Sequence, residues 1–454
     1  MASVVDDVYS WCLQWQQECR IPGIAFVVTN AAATQFVGLS GVADRTSGVV
    51  LSDRQRWQIG SISKAFTGIA LLQLESRGQL RLPDAAVTHL PWLAHLRPDV
   101  TLHHLLTHSA GLPTGSEWSP DSRLESAMQG SVGDPQPPGS DFHYSNCGFE
   151  ILGDVVERVS GIAIDRYLEV HVLSGLGMLG ASGSIRADDR ARDVRGHRPP
   201  RDDTTWRGEQ EQVPDVWFPS CTADGAIVAT PDDMSHYLRF LLAGRQPDVL
   251  NGSDFERLSA RHVVIDDTSW YGYGLTTTER AGHTTLGHSG GMVGMYADVR
   301  VDRRLGIGTC LMVNGHADVS EANRYLLDLL RHDADASVPL SEAPGWQAFP
   351  STDDPSGRPE WQSYVGLYRS YNPWAPTLRV LRSGDELLLV DPVDGGPEPL
   401  LPIGGTRFRV GGPRSPDIVD FSVPVDGVHL RLDLSGCTYA RVRRNPTDPA
   451  QIRS

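Results

Sequence analysis

Two side chains spaced three residues apart have the chemistry of a nucleophile and its base. Ser61 and Lys64 lie in the stretch GSISKAFTG and have the spacing S-x-x-K. On one turn of a helix, residues three apart share a face, so the lysine amine can approach the serine hydroxyl. A serine is a weak nucleophile until a base takes its proton, and a neutral lysine amine can be that base. The pair therefore indicates acyl transfer through a serine.

Lys64 is also the sole lysine in the sequence of 454 residues. Lysine and arginine together number 40, so 39 of these cations are arginines. Arginine cannot lose its proton in a protein, whereas burial or a neighbouring cation can bring a lysine near neutrality. A base at this position explains why one lysine is retained. The alternative is that a single codon escaped a general drift toward arginine.

Two further stretches carry candidate site residues. HYSN supplies Tyr144 and Asn146 directly before a predicted helix, where a helix cap and a packed tyrosine are the alternative explanation. GHSGG supplies His288, Gly290 and Gly291 at the opening of a predicted strand. Successive glycines let backbone amides approach a ligand, and the imidazole could pair with a tyrosine or hold a substrate oxygen. A glycine turn beside a surface histidine would give the same pattern.

Taken in order, the three motifs resemble those of the class C β-lactamase and penicillin-binding-protein-like serine hydrolases. That family includes D-aminopeptidases, family VIII esterases and related thioesterases. The resemblance covers about residues 21–332. It implies that Ser61 is the acylated nucleophile and that Lys64 accepts its proton. It also implies that Tyr144 carries a proton to the leaving group and later from the attacking nucleophile, while Asn146 orients the substrate amide.

The third motif both fits the resembling family and departs from it. The resemblance implies an oxyanion hole formed by the backbone amides of Ser61 and Gly291, with Gly290 beside them. His288 stands where the β-lactamases of this family usually have the lysine of K-T-G. A neutral or partly charged imidazole argues against a β-lactam or a free carboxylate as substrate. His288 is therefore a catalytic candidate that favours the esterase, D-peptidase and thioesterase branches.

We expect an acyl-enzyme serine hydrolase or acyltransferase that acts on a peptide-type amide, ester or thioester, without a cofactor or a metal. The sequence also predicts a cytoplasmic location and an additional carboxy-terminal β domain. Together with His288, these features resemble penicillin-binding-protein-type thioesterases, which release and macrocyclise nonribosomal peptides ending in a D-residue. Such a peptide would arrive on a carrier protein. The alternative is a D-aminopeptidase or a family VIII-type esterase; a β-lactamase or a non-catalytic sensor is less favoured.

Charge and the amino terminus argue against other classes of partner. The net charge is −16 and the isoelectric point about 5.3, which disfavour a nucleic acid or an anionic membrane surface. Asp6 and Asp7 stand where a secretory signal would need positive charge. The six cysteines show no C-x-x-C spacing. We therefore expect a cytoplasmic protein with reduced thiols.

Two competing sites are also present in the sequence. GHSGG matches G-x-S-x-G, the nucleophile elbow of α/β-hydrolases, in which Ser289 would lie on a strand-to-helix turn. The residues after it instead predict a strand, a turn and a strand. His104 and His108 are four residues apart and could face one metal ion, but no H-E-x-x-H motif accompanies them. Neither site is expected.

The elements around the motifs predict the fold. GIAFVVTN and TQFVGLSGVAD indicate a strand, a turn and a second strand. SKAFTGIALLQLESRG is apolar nearly all round, which predicts a buried helix that has Ser61 at its amino end and is closed by Gly78. A second helix follows HYSN and ends at Gly161. We expect an α/β (α+β) β-lactamase-like domain with an antiparallel sheet flanked by helices.

The composition changes after this domain. A stretch rich in Pro, Ser, Asp and Ala is typical of a linker. Strand patterns follow it, separated by predicted turns at Ser383-Gly384-Asp385, Asp426-Gly427 and Ser435-Gly436. The resemblance implies that this tail is a lipocalin-like all-β barrel. The expected divisions are a catalytic domain at 1–335, a linker at 336–360 and the barrel at 361–454.

Overall fold

The described chain forms a domain of sheet and helices followed by a β-barrel. The computed structural model describes residues 2–95, 98–115, 136–200, 208–214, 223–345, 353–391, 395–434 and 436–442. The helices of this part are α1 (Ala2–Glu18), α2 (Ser63–Ser76), α3 (Leu102–Leu106), α4 (Asn146–Ser160), α5 (Ile164–Leu168), α6 (Ser174–Leu176), α7 (Pro231–Ala243), α8 (Gly252–Leu258) and α9 (Val319–Ala334). A π-helical turn, Glu169–Leu173, joins α5 to α6.

An antiparallel sheet of nine strands, counted over the described residues, forms the centre of the first domain. The strands up to residue 313 are β1 (Gly23–Thr29), β2 (Thr34–Asp44), β3 (Val49–Val50), β4 (Trp57–Gln58), β5 (His197–Arg198), β6 (Glu211–Gln212), β7 (Val228–Ala229), β8 (Val263–Asp266), β9 (Ser269–Tyr271), β10 (Thr276–Arg280), β11 (His283–Met292), β12 (Met295–Asp302) and β13 (Ile307–Val313). The order across the sheet is β3-β2-β1-β13-β12-β11-β10-β9-β8, and β4 pairs with β7 and β5 with β6 outside it.

Helices cover both faces of the sheet. Along β1, Ala25 and Val27 belong to the larger core, into which α2, α4 and α7 pack. Phe26 and Val28 belong to a second core beneath α1 and α9. Because both faces of β1 are covered, every residue of its run is buried. The predicted antiparallel sheet flanked by helices is confirmed.

The helix that follows Ser61 is buried along most of its length. Ser61 lies in a 3₁₀-helical turn, Gly60–Ile62, and α2 begins two residues after it. Gly78 follows the last turn with φ +70°, and Gly161 ends α4 with φ +72°. Both are left-handed positions that favour glycine at the carboxyl end of a helix. The two helix ends are therefore where the sequence predicts them.

Eight antiparallel strands close into a barrel in the described part of the carboxy-terminal region. They are β14 (Gly366–Arg369), β15 (Thr377–Ser383), β16 (Glu386–Val390), β17 (Pro397–Gly404), β18 (Arg407–Val410), β19 (Ile418–Val425), β20 (Val428–Leu434) and β21 (Cys437–Arg441). Aromatic and aliphatic side chains such as Tyr368 and Phe421 fill the interior. The predicted turns at residues 383–385 and 426–427 are confirmed, whereas Ser435 lies outside the described residues.

The chain is already attached to the barrel before its first strand. Helix α9 ends at Ala334 and β14 begins at Gly366. Between them, the carboxylate of Asp353 accepts hydrogen bonds from the guanidinium of Arg382, and Asp354 accepts one from the backbone of Gly384. No helix among the residues described is long and apolar enough to cross a membrane.

Candidate active site

The first and third motifs meet backbone to backbone. A Cβ on Gly290 would lie 1.9 Å from the carbonyl oxygen of Ile59 and 2.9 Å from the backbone nitrogen of Ser61. A Cβ on Gly60, where φ is +53°, would lie 2.6 Å from the backbone nitrogen of Gly291. Only glycines allow this approach. Strand β11 therefore places the amide of Gly291 beside the turn that carries Ser61.

Lys64 joins the first motif to the second. Its Nζ donates to Oγ of Ser61 at 3.0 Å, to Oδ1 of Asn146 at 2.8 Å and to the carbonyl oxygen of Asp224 at 2.9 Å. The lysine side chain is fully buried. The carboxylate of Asp224 lies 3.7 Å from Nζ. The predicted Ser-Lys pair is thus brought together, and Asn146 is placed with it.

This arrangement suits both protonation states of the lysine. Asn146 Oδ1 and the Asp224 carbonyl oxygen accept hydrogen bonds in either state. A neutral amine would donate its two protons to these oxygens and turn its lone pair toward the hydroxyl proton of Ser61. An ammonium group would donate its third proton to the same Oγ. Lys64 can therefore take the serine proton without moving a heavy atom.

A second carboxyl group lies behind this contact. Glu150 is four residues after Asn146 on α4, and its Oε1 is buried. Burial, followed by the neighbouring charge of Asp224, raises the pKa of Glu150 well above its usual range. Burial therefore favours the uncharged form of Glu150 near Lys64. Sequence reasoning missed both acids, although a glutamate within an apolar helix was a usable signal.

Ser145, not its neighbours, caps the helix of the second motif. Its hydroxyl accepts a hydrogen bond from the backbone of Gly148 at 3.2 Å. Asn146 is thereby released from the capping role that was its alternative explanation, whereas the alternative for Tyr144 was packing, and its ring does pack on His108. The ring of Tyr144 lies 5.0 Å from Nζ of Lys64, measured to the ring centroid. Both residues face the lysine.

His288 belongs to a hydrogen-bonded row of three side chains. Its Nε2 lies 2.9 Å from the hydroxyl of Tyr271, and that hydroxyl lies 3.1 Å from Nε2 of His108. The other ring nitrogen of His108 accepts a hydrogen bond from the backbone of Ser145 at 3.0 Å. The ring of Tyr144 packs on His108 at 4.2 Å, whereas the rings of Tyr144 and His288 are 6.2 Å apart, both measured between centroids.

The direction of these hydrogen bonds fixes the protons along the row. Because His108 accepts at Nδ1, its Nε2 carries the proton and donates to Tyr271. Tyr271 then donates to Nε2 of His288, whose Nδ1 donates to the backbone oxygen of Ser289. Burial lowers the pKa of His288 to about 4 and that of His108 well below its usual value, and the nearby Lys64 adds to both effects. Both imidazoles are neutral at physiological pH.

The two competing sites, the G-x-S-x-G motif at Ser289 and the pair His104 and His108, do not have the geometry that their functions would require. Ser289 lies within β11, and the next element is another strand of the same sheet, so it does not sit on a strand-to-helix turn. His104 belongs to the cap of α3, where its Nδ1 accepts from the backbone of Thr101. Both ring nitrogens of His108 are engaged within the row described above. The residues that sequence reasoning missed here are Tyr271 and the role of His108.

The curated proteins that are similar to this chain include two with the following overlaps. It is 26% identical to penicillin-binding protein 4 of Amycolatopsis lactamdurans over 346 residues, which are 72% of this chain and 90% of that protein. It is 25% identical to Protein flp of Staphylococcus aureus (strain COL) over 244 residues, which are 50% of this chain and 46% of that protein. The chain thus spans less than half of the length of Protein flp.

Many solved structures share the fold, and two of them cover most of this chain or nearly three quarters of it. The octameric penicillin-binding protein homologue from Pyrococcus abyssi has a TM-score of 0.65 at 22% identity, covering 95% of this chain and 98% of its own. EstCE1, described as a hydrolase with promiscuous acyltransferase activity, has a TM-score of 0.62 at 22% identity, covering 73% of this chain and 98% of its own. The family model "Beta-lactamase" matches residues 12–333. That match spans well over half of the sequence, so the protein has a β-lactamase-like serine hydrolase fold and belongs to the beta-lactamase family.

Proposed function

We propose that this protein is an acyl-enzyme serine hydrolase or acyltransferase that uses Ser61 as nucleophile and Lys64 as base. The observation that carries the proposal is the 3.0 Å contact between Lys64 Nζ and Ser61 Oγ, in a setting that accommodates the lysine with or without its extra proton. The family membership supports the same chemistry.

The proposed reaction has two steps. Ser61 Oγ attacks the acyl carbonyl carbon while its proton passes to Lys64, and the backbone amides of Ser61 and Gly291 hydrogen-bond the oxygen that becomes negative. The bond to the leaving group then breaks, and Tyr144 delivers a proton to that group. In the second step, water or an amine attacks the acyl-serine and gives a proton to Tyr144, which restores the tyrosine hydroxyl. The bond to Ser61 Oγ then breaks, and the proton held by Lys64 returns to that oxygen. Asn146 orients the acyl chain.

The state of His288 favours a substrate without a free carboxylate. A lysine at this place would offer a positive charge to such a group. His288 is neutral above about pH 4, and its Nε2 is engaged by Tyr271. This supports an ester, a thioester or an amide within a peptide over a β-lactam.

Within this class we propose a thioesterase that releases and macrocyclises a nonribosomal peptide with a D-configured carboxy-terminal residue, presented by a carrier protein. A peptide thioester carries its acyl group without a free carboxylate, as the neutral His288 requires. A D-aminopeptidase or an esterase would use the same serine. The esterase alternative is favoured by the similarity in fold to EstCE1. We further propose the division at 1–335, 336–360 and 361–454 and a cytoplasmic location.

The test follows the protein and the product together by mass spectrometry. Wild type, Ser61→Ala and Ser289→Ala are incubated with a peptidyl thioester mimic that has a free amino terminus and a D-residue at the thioester. An adduct that requires Ser61, together with cyclic product, is the expected result. Linear acid alone would indicate a hydrolase, and the same assay with a D-aminoacyl amide and a p-nitrophenyl ester would identify which. An adduct lost only in Ser289→Ala would overturn the proposal.

A further inference from the structure

The barrel reaches the second motif of the active site through one carboxylate. We infer that Asp417, in the barrel, is a positioning residue for Tyr144 and Asn146, so that the acyl-transfer site is assembled from both domains. The inference rests on the proposed function. Asp417 lies directly before β19, and its side chain is 11% exposed.

Asp417 holds two residues of the catalytic domain. Its Oδ2 accepts a hydrogen bond from the hydroxyl of Thr114 at 2.7 Å, and its Oδ1 accepts one from the backbone nitrogen of Thr114 at 3.1 Å. Nε2 of His143 lies 3.2 Å from Oδ2. Thr114 and His143 lie 29 residues apart in the chain, so the carboxylate joins two segments that the local sequence does not join.

Each of these residues leads directly to the site. The backbone oxygen of Thr114 accepts a hydrogen bond from the backbone nitrogen of Asn146 at 2.7 Å, and Oδ1 of Asn146 accepts from Lys64. His143 is next to Tyr144 in the chain, and its backbone nitrogen donates to the backbone oxygen of His108, on which the Tyr144 ring packs. A run of hydrogen bonds therefore connects the barrel to the nucleophile.

The charges around Asp417 support a fixed arrangement. Burial opposes its negative charge, but the hydrogen bonds from His143 and Thr114 outweigh burial and hold its pKa below the usual range. Nearby in the barrel, burial and the charge of Asp417 raise the pKa of Glu398. Of these two acids, Asp417 is therefore the one whose carboxylate contacts Thr114 and His143 of the catalytic domain. At the rim of the same interface, Arg414 pairs with Asp141 at 2.7 Å, with the arginine 68% exposed.

The rim pair offers a control that separates docking from positioning. Replacement of Arg414 removes an exposed contact between the domains without touching Thr114 or His143. Exposed ion pairs contribute little to stability. A second control, Asp385→Asn, removes an aspartate that is 89% exposed on the barrel. Neither change should alter the second motif.

The experiment measures how fast a fluorophosphonate labels Ser61 in Asp417→Asn, Arg414→Ala, Asp385→Asn and wild type, with intact-mass detection. The final fraction labelled reports the competent protein, and the rate constant reports the geometry of the site. A shift on the order of 1 Å in a catalytic group can cost a hundredfold in rate. We expect Asp417→Asn to label fully but about tenfold to a hundredfold more slowly, with the two controls unchanged.

A merely structural contact would give a different result. The fraction labelled and the melting temperature would then fall in Asp417→Asn while the rate constant stayed at the wild-type value, and this would overturn the inference. If Asp417→Asn does not fold, Thr114→Val decides, because it removes one donor to the carboxylate and keeps the backbone contact. A wild-type labelling rate in that variant also overturns the inference.

The proposed function can fail separately from this inference. If wild type forms no adduct, or forms one that Ser61→Ala also forms, the acyl-transfer proposal is wrong and so is the positioning role of Asp417. If wild type is labelled at Ser61 and Asp417→Asn is labelled equally fast, the acyl-transfer proposal stands and the positioning role alone is refuted. A double variant of Asp417→Asn and Thr114→Val should label no more slowly than Asp417→Asn itself, since both changes act through one contact.

Discussion

Replacement of Lys64 by arginine separates two roles that a lysine could have beside Ser61. As a cation, Lys64 would stabilise negative charge, and arginine could substitute for it. As a base, Lys64 must exist without its extra proton, which a guanidinium does not lose in a protein. The contacts to Asn146 and Asp224 leave the lone pair of a neutral amine directed at Ser61, which is the geometry that the proposed role as a base needs.

The magnitude follows from the loss of that base. A positioned general base contributes about 10² to 10⁴ in rate. At about 1.4 kcal/mol for each tenfold, this is roughly 3 to 6 kcal/mol of the barrier. Arginine is also larger than the fully buried lysine, and such overpacking costs about 1 to 3 kcal/mol of stability. Lys64→Arg should therefore remain largely folded while its acylation falls at least a hundredfold.

The assay is the rate at which a fluorophosphonate labels Ser61, followed by intact mass, with the melting temperature measured alongside. Lys64→Met is the matched control, because it is similar in length and has neither charge nor base. If Lys64 is a base, both variants lose acylation to a similar extent. Acylation within tenfold of wild type in Lys64→Arg, with a collapse in Lys64→Met, would refute the reasoning and leave Lys64 as a cation.

Three other perturbations test the surroundings of the pair. Gly290→Ala places a Cβ 1.9 Å from the carbonyl oxygen of Ile59. We expect denaturant unfolding to show a loss of about 1 to 3 kcal/mol in stability, together with slower acylation. Gly252→Ala is the control, because a Cβ at that position meets nothing within 4 Å. Burial lowers the pKa of His288 from 6.5 to about 4, so between these pH values the unfolded chain binds more protons than the folded protein. Up to about 3 kcal/mol of stability is therefore lost as the pH falls from 6.5 toward 4. Unfolding measured at several pH values should show a shallower decline in His288→Gln. Tyr271→Phe leaves buried ring nitrogens of His108 and His288 without their hydrogen bonds, so we expect the free energy of unfolding to fall by about 2 to 4 kcal/mol. Replacement of the fully exposed Tyr371 by phenylalanine should cause no loss. Equal melting temperatures for these two variants would contradict the hydrogen-bonded arrangement of His108, Tyr271 and His288.

Much of the fold was predictable because its signals are local. The glycines at 78 and 161 end their helices because only the left-handed backbone conformation closes the last turn, and that requirement is visible in the sequence. The strands β1 and β2 and the tight turns of the barrel depend on neighbouring residues in the same way. The sequence predicted Ser61 at the amino end of α2, whereas it lies in a 3₁₀ turn directly before that helix. The backbone of β11 closely approaches this turn at Gly290 and Gly291.

The candidate site was predictable only as far as its motifs. The sequence indicated that successive glycines let backbone amides approach a ligand, but the group that approaches Gly290 in the structure is the backbone of Ile59 and Ser61. Tyr271 meets His108 across 163 residues, and Thr114 meets Asp417 across 303. The register of the sheet and the docking of the barrel set these pairs. No local pattern around either residue carries that information.

The electrostatics of the site suggest why one lysine suffices. His288 and His108 are neutral, and burial favours the uncharged form of Glu150 near Asp224. In the proposed reaction, the proton that leaves Ser61 creates a cation with no second positive charge from His108 or His288 beside it. That cation forms 3.7 Å from the carboxylate of Asp224, which stabilises it. A second lysine at position 288 would place a like charge near the first and oppose its protonation, so a neutral His288 favours the proposed proton transfer to Lys64.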